Sequence, residues 1–278
     1  MIKHGGEQII LAFWVLVKEI WRREEVPQEW RKGIVTKLWK GGDKRVPDNY
    51  RGITLLSVVG KLYSTILERR IEDWAERNGV IEEEQGGFRA KRGTPDQVFS
   101  LTELLRARSK RKEKTYCCFI DVQKAYDRVW RAGLWKRLWE AGITGKMWRV
   151  IRNLYKEVKS CVKVGSGRTE WFGLDVGVRQ GCVLSPILYS LFINGLAVEI
   201  KSKVRGVAVD GWPVSLLLYA DDIVLIADTP EKLQEMLDVV SEYSRRWRFE
   251  LSNKKSQVVV FGSKKGMGRG GLHCRGRG

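Results

Sequence analysis

The amino-acid sequence predicts an α+β fold in which an antiparallel sheet is backed by helices. Its 278 residues are 43% apolar, enough to bury a sizeable core. Helix-patterned segments come first, and strand-like runs follow with helices between them. A hairpin pattern interrupts the second half. This spacing is too uneven for a doubly wound parallel sheet, and no internal repeat is visible.

The first element is a helix over Gln8 to Arg23, broken near Pro27. Its apolar run, Ile9 to Val17, is nine residues long, far below the roughly 18 a membrane span requires. Lys18 and Glu19 follow directly, without a small-residue cleavage site, so a signal peptide does not fit. Ile34 to Leu38 reads as a short strand. Trp39 to Gly52 (WKGGDKRVPDNYRG) reads as an exposed connection, from its Gly, Asp, Asn and Pro. From Ser57 to Asn78, Val58, Leu62, Ile66, Ile71 and Trp74 recur at helical spacing. A loop with a basic tip follows, then a helix over Pro95 to Arg108. The basic run Arg106 to Lys114 leads into a strand, Tyr116 to Val122.

Arg131 to Ala141 is a helix stopped by Gly142, and Thr144 caps a second helix to about Lys156. Ser160 to Val164 and Glu170 to Phe172, joined by Gly165-Ser166-Gly167, predict a hairpin. Ser185-Pro186 opens another helix, with Pro at the first helical position. Leu216 to Ala227 reads as strand, two-Asp turn and strand. Thr229-Pro230 caps a helix carrying Leu233, Met236, Leu237, Val240 and Trp247. Gln257 to Phe261 is the last strand. The Gly- and Arg-rich segment from Ser263 to Gly278 predicts disorder.

Lys and Arg number 51 against 33 Asp and Glu, a net charge of +18. An excess of that size on a foldable chain points to a polyanion, nucleic acid before membrane. Twelve Trp residues add surfaces able to stack on bases. The five Cys include no C-x-x-C pair, and the two His, His4 and His273, lie near opposite ends. A disulfide scaffold, a structural zinc site and His-based acid–base chemistry are therefore excluded. Reduced thiols predict a cytoplasmic or nuclear setting.

The chemistry concentrates in carboxylates. In LLLYADDIVLIA (Leu216 to Ala227), Asp221 and Asp222 sit between two very apolar strands. A tight structural turn favours Asn-Gly or Asp-Gly; Asp-Asp lacks that advantage and juxtaposes two negative charges, which calls for cations. In CFIDVQKAYD, Asp121 ends an apolar strand, where a carboxylate is costly unless paired or on a metal. Asp127, six residues on, reads as a cap or salt-bridge partner ahead of a second ligand. Three carboxylates at strand ends match the oxygen ligands of Mg²⁺, and two such ions can hold the attacking and leaving oxygens of a phosphoryl transfer. In GVRQGCVLSPILYSLFIN (Gly177 to Asn194), Gly177 and Gly181 bound a loop whose backbone can come close to a nucleotide.

In order, F-x-D, R-Q-G-C-x-L-S-P and Y-A-D-D resemble the palm motifs of reverse transcriptases, in the version of the non-LTR (LINE-type) retrotransposons. NYRGITLLSVVGKLYSTILERRI and EEQGGFRAKRGTPD resemble that family's fingers motifs, and the match runs from about Trp30 to Gly262. The resemblance implies a right-hand polymerase with a helical lead-in (1–30), fingers (31–115) and a palm (116–262). A fingers segment lies within the palm around 144–176, and a basic tail follows (263–278). No thumb, endonuclease or zinc knuckle is recognised.

The implied activity is RNA-directed DNA synthesis from dNTPs on an RNA template and a DNA or RNA primer, with two Mg²⁺ ions or Mn²⁺ in their place. Asp121, Asp221 and Asp222 match the metal triad, with the Val122 carbonyl as an extra ligand. Tyr126 matches the residue that excludes a 2′-hydroxyl. Gln180 and Gly181 match the lining of the incoming nucleotide, and Arg89 matches an arm to the triphosphate. Lys61 and Arg92 match template or phosphate contacts. Lys254 or Lys255 matches the acid that protonates pyrophosphate, Lys255 being the choice for the site. A group II intron-type reverse transcriptase or maturase, and a catalytically incompetent RNA-binding remnant, are the alternatives.

Overall fold

The structure, a computed structural model, describes residues 5–209 and 211–262. Helix α1 (Gly6–Arg23) leads into strand β1 (Lys32–Trp39) and its antiparallel partner β2 (Tyr50–Leu55). Helices α2 (Val58–Arg77) and α3 (Thr94–Lys110) follow, then strand β3 (Thr115–Asp121) and helices α4 (Arg131–Glu140) and α5 (Gly145–Leu154). Strand β4 (Lys159–Val164) pairs with two short strands, β5 (Gly167–Arg168) and β6 (Phe172–Gly173). Helix α6 (Ser185–Lys203) precedes the hairpin β7 (Val207–Val209) and β8 (Trp212–Val214). Strands β9 (Leu216–Tyr219) and β10 (Asp222–Ala227), helix α7 (Pro230–Trp247) and strand β11 (Gln257–Phe261) complete the order.

Two sheets organise the molecule. One runs β2-β1-β4-β5, with β6 also on β4; the other runs β11-β3-β10-β9 and is antiparallel throughout. The second sheet is buried on both faces, so its strands are apolar without strict alternation. On β3, Cys118 and Ile120 join the main core, while Cys117 joins a smaller cluster with Leu104, Val207 and Ile226. Helix α6 is apolar around its circumference over its first three turns, where it is enclosed, and turns polar and exposed at its C-terminal end. Leu188, Phe192, Ile193 and Leu196 have essentially no exposed surface.

The structure departs from the sequence reading at several points. The segment read as loop up to Gly52 already contains the start of β2, since Arg51 and Gly52 pair with Leu38 and Lys37. The first sheet includes one parallel pair, β1 with β4, so it is not wholly antiparallel. The hairpin β7–β8 was not anticipated, because strands this short carry too few residues for a period to register. Thr144 stands at the N-cap of α5 without a side-chain cap bond, whereas Thr229 accepts from the Lys232 N–H as expected. The predicted disorder of 263–278 lies outside the described residues. Among the described residues, no helix is long and apolar enough to cross a membrane.

Candidate active site

Strand register brings the acids together. Asp222, first residue of β10, pairs directly with Asp121, last residue of β3, and also with Tyr219 of β9. The two-residue turn is therefore Ala220-Asp221, not Asp221-Asp222, and Asp222 already belongs to the strand. Ala220 has φ +58°, a region normally left to Gly. The turn sets a half-buried Asp221 next to the exposed Asp222.

Like charges opposite each other on neighbouring strands are unfavourable. Partial burial and the charges of Asp221 and Asp121 push the Asp222 carboxyl above its ordinary value, with Lys255 opposing them. The Lys255 Nζ lies 3.5 Å from Asp121 Oδ2. It stands in the turn before β11, where Lys255 N–H donates to Ser252 O. Lys254 and Lys255 are both exposed, and it is Lys255 that stands against an acid. Val122 forms an antiparallel bridge with Leu251 through bonds from Gln123 N–H to Glu250 O and from Ser252 N–H to Asp121 O. Its own carbonyl takes no part in that bridge. The acids as placed form no closed three-ligand cage among the described residues. Asp121 is turned toward Lys255. The donor set, all oxygen and mutually repulsive, fits a hard divalent cation.

Tyr126 packs beside the acids. Its ring stacks on Tyr189 at 5.1 Å and meets the edge of Phe88 at 6.5 Å. The phenolic oxygen is buried without a hydrogen-bond partner, and burial together with Asp221 pushes its pKa up. Gln180 donates from Nε2 to Asp127 Oδ1 at 2.7 Å. Desolvation raises the Asp127 pKa, while that bond and the charges of Lys124 and Arg51 oppose the rise. Arg51 and Lys124 thus lie near Asp127, and Lys124 also pairs with Asp48 at 3.8 Å. Sequence reasoning missed both, Arg51 because NYRGITLL was read partly as loop.

Three of the expected site features are engaged by the chain itself. The Gly177–Gly181 loop was expected to bring backbone close to a nucleotide. Its glycines instead bring it against the chain itself: φ is +82° and +93°. A Cβ on Gly177 would stand 2.6 Å from Asp127 O, and one on Gly181 2.6 Å from Thr54 O. Arg179 within the loop is buried and donates to Trp30 O and Lys32 O, tying it to β1.

Arg89 is not a free arm. Its Nε and Nη2 bind Glu76, Nη2 also binds Glu83, and Nη1 donates to Glu82 O and Gln85 O. A guanidinium with its donors spent on its own chain has none to offer a triphosphate. Arg92 is likewise held by Glu83 through both the backbone carbonyl and the carboxylate. Lys61 is half-buried on the first turn of α2.

A four-stranded antiparallel sheet with paired acids on its central strands and adjoining turn defines a polymerase-type domain. The chain belongs to the reverse transcriptase (RNA-dependent DNA polymerase) family, whose model matches residues 40–268. It is 28% identical over 267 residues to the probable RNA-directed DNA polymerase from transposon X-element of Drosophila melanogaster, covering 94% of this chain and 28% of that protein. It is 29% identical over 262 residues to the RNA-directed DNA polymerase from mobile element jockey of Drosophila funebris, covering 92% and 28%. The chain thus spans little more than a quarter of the length of these relatives. In fold it is similar to apo telomerase from Candida tropicalis truncated from its C-terminal domain. That likeness has a TM-score of 0.64 at 12% identity and covers 93% of this chain and 56% of that one.

Proposed function

We propose that this chain is the catalytic core of a LINE-type RNA-directed DNA polymerase. It would extend a DNA or RNA primer with dNTPs on an RNA template. The observation that carries the reading is the register of Asp222 on Asp121 with Asp221 in the adjoining turn. It assembles three carboxylates from segments a hundred residues apart. In this reading the second sheet is the palm. The first sheet, α2 and α3 form the fingers, and β4 to β6 are the inserted fingers segment.

Asp121, Asp221, Asp222 and the Val122 carbonyl would hold two Mg²⁺ ions, or Mn²⁺ in their place. When bound, these ions supply activation of the primer 3′-hydroxyl and neutralisation of the leaving pyrophosphate. The protein's residues do the rest by placement and charge. The Tyr126 ring fills the space that a 2′-hydroxyl would need. Gln180, fixed on Asp127, lines the incoming nucleotide. Arg51 and Lys124, near Asp127, meet the triphosphate in place of Arg89. Lys255, beside Asp121, donates a proton to pyrophosphate as it leaves. The net +18 charge binds template and primer phosphates, so affinity falls steeply with salt.

Primer extension on an RNA template with Mg²⁺ tests the reading. The 278-residue chain should incorporate dNTPs, and Asp121→Asn or Asp221→Asn should lower incorporation by about 10³-fold while template binding stays near wild type. Extension that survives either substitution, or RNA binding that collapses with it, sinks the assignment.

A further inference from the structure

The segment between α2 and α3 makes an unexpected contact with the acid-bearing turn. Leu218 of β9 donates its N–H to Glu84 O, and Gly86 N–H donates back to Leu218 O, both at 2.9 Å. Gln85 between them forms a parallel bridge with Leu218 and has no exposed surface. Its side chain reaches beyond Leu218 to Ala220. Oε1 accepts from Ala220 N–H at 3.1 Å and from Gly87 N–H at 2.8 Å, while Nε2 faces Ala220 O at 3.5 Å. One side-chain amide therefore engages both the N–H and the C=O of Ala220.

Ala220 is the strained residue of the turn, at φ +58°. A non-Gly residue keeps such a conformation only where its surroundings enforce it. The surroundings here are Gln85 and Gly87, whose Cβ, if present, would lie 2.2 Å from Ala220 N. Glu in place of Gln85 would lose the donor toward Ala220 O and add a fourth negative charge beside Asp121, Asp221 and Asp222. Gln85 is itself anchored, because its carbonyl accepts from Arg89 Nη1 at 3.3 Å.

We propose that Gln85 is a positioning residue: it clamps the Ala220 peptide in the left-handed region and so fixes the direction of the Asp221 carboxylate. The consequence for turnover rests on the polymerase reading above; the clamp itself does not. Released, Ala220 relaxes toward negative φ and Asp221 swings away from its place next to Asp121. Errors of about 1 Å in such a site cost on the order of 100-fold in rate.

Gln85→Met keeps the volume and removes both hydrogen-bonding functions. Two readouts separate the clamp from the catalysis. Amide hydrogen exchange at Ala220 should accelerate by about tenfold or more in Gln85→Met, with protection in the core strands β3 and β10 retained. In primer extension, kcat should fall about 100-fold while KM for template–primer stays within a few-fold. The decisive variant is Gln85→Met with Ala220→Gly. Glycine adopts positive φ without strain, so the pair should recover kcat to within about tenfold of wild type, which a lost packing contact would not allow.

Unchanged exchange at Ala220 overturns the proposal, as does a kcat that falls and is not recovered in the pair. If Gln85→Met alone fails to fold, the pair must restore folding, and a pair that stays unfolded overturns it too. A wild-type chain inactive in primer extension counts against the polymerase reading, and the exchange measurement then decides the clamp by itself.

Discussion

Two charge clusters, one within the segment from Ile81 to Arg92 and one at the sheet end beside it, are built on opposite terms. Around Arg89, opposite charges meet and every donor is used: Glu76 and Glu83 neutralise the guanidinium, and two carbonyls take its remaining two hydrogens. At the sheet end, Asp121, Asp221 and Asp222 are neighbours of like charge, with Lys255 against Asp121. The saturated cluster holds the chain; the unsaturated one is left able to take up cations. A buried charge is thus informative about function only once its partners are counted.

The sharpest way to break the comparison is Arg89→Met. It leaves Glu82 O and Gln85 O without donors and Glu76 without its partner. We expect a loss of about 1–3 kcal/mol in urea denaturation, a size that would show the residue to be a brace. The effect depends on pH in a definite sense. The bond to Arg89 holds the Glu76 carboxyl below its ordinary 4.5. The stability it contributes is therefore present above pH 4.5 and is lost as pH falls through the lower folded value. The gap between wild type and Arg89→Met should narrow as the buffer is taken from neutral to below pH 4. A gap that is constant across that range would mean packing, not charge, supports the brace.

Tyr126 stands between the two clusters, touching Phe88 from the braced segment and packed beside the acids. Tyr126→Val should keep dNTP incorporation and gain rNTP incorporation. A steric clash in a packed site costs roughly 1–3 kcal/mol, so the dGTP-to-rGTP ratio of kcat/KM should drop about 5- to 150-fold. Tyr126→Phe keeps the ring, and it also removes the unpartnered hydroxyl. A ratio that stays at the wild-type value in active Tyr126→Val would place sugar selection elsewhere.

The smallest effect sharpens the contrast from the acid side. Asp222→Asn removes one of the mutually repelling charges without leaving an opposite charge unpaired on the sheet. In EDTA at neutral pH it should raise stability, by roughly 0.2–1 kcal/mol, the scale of a directly opposed like-charge pair. Thermal unfolding with and without Mg²⁺ checks this. The ordering should reverse when the cation is added, because wild type gains more from it. A destabilised Asp222→Asn in EDTA would mean that the cluster is already balanced.

Much of this architecture is legible in the residues. Apolar periodicity placed α2 and β11 within a residue or two, because a buried face repeats every 3.6 or every 2 residues whatever else surrounds it. Pro186 and Pro230 marked the starts of α6 and α7 for an equally local reason. The acids were visible too: Asp121 at the end of an apolar run and Asp221-Asp222 between two others have no local role that explains them.

What the sequence could not decide were the partners. Arg89 and Arg51 are both arginines in loop-like motifs. Only tertiary structure spends the first on Glu76 and Glu83 and leaves the second facing Asp127. Gly181 signals close approach, but to what is settled by Thr54, more than a hundred residues away. Gln85 is an unremarkable amide until β9 is laid beside it. Local conformation follows from short-range sterics and burial patterns, which the chain carries with it. Which donor meets which acceptor depends on distant segments, and no periodicity records that.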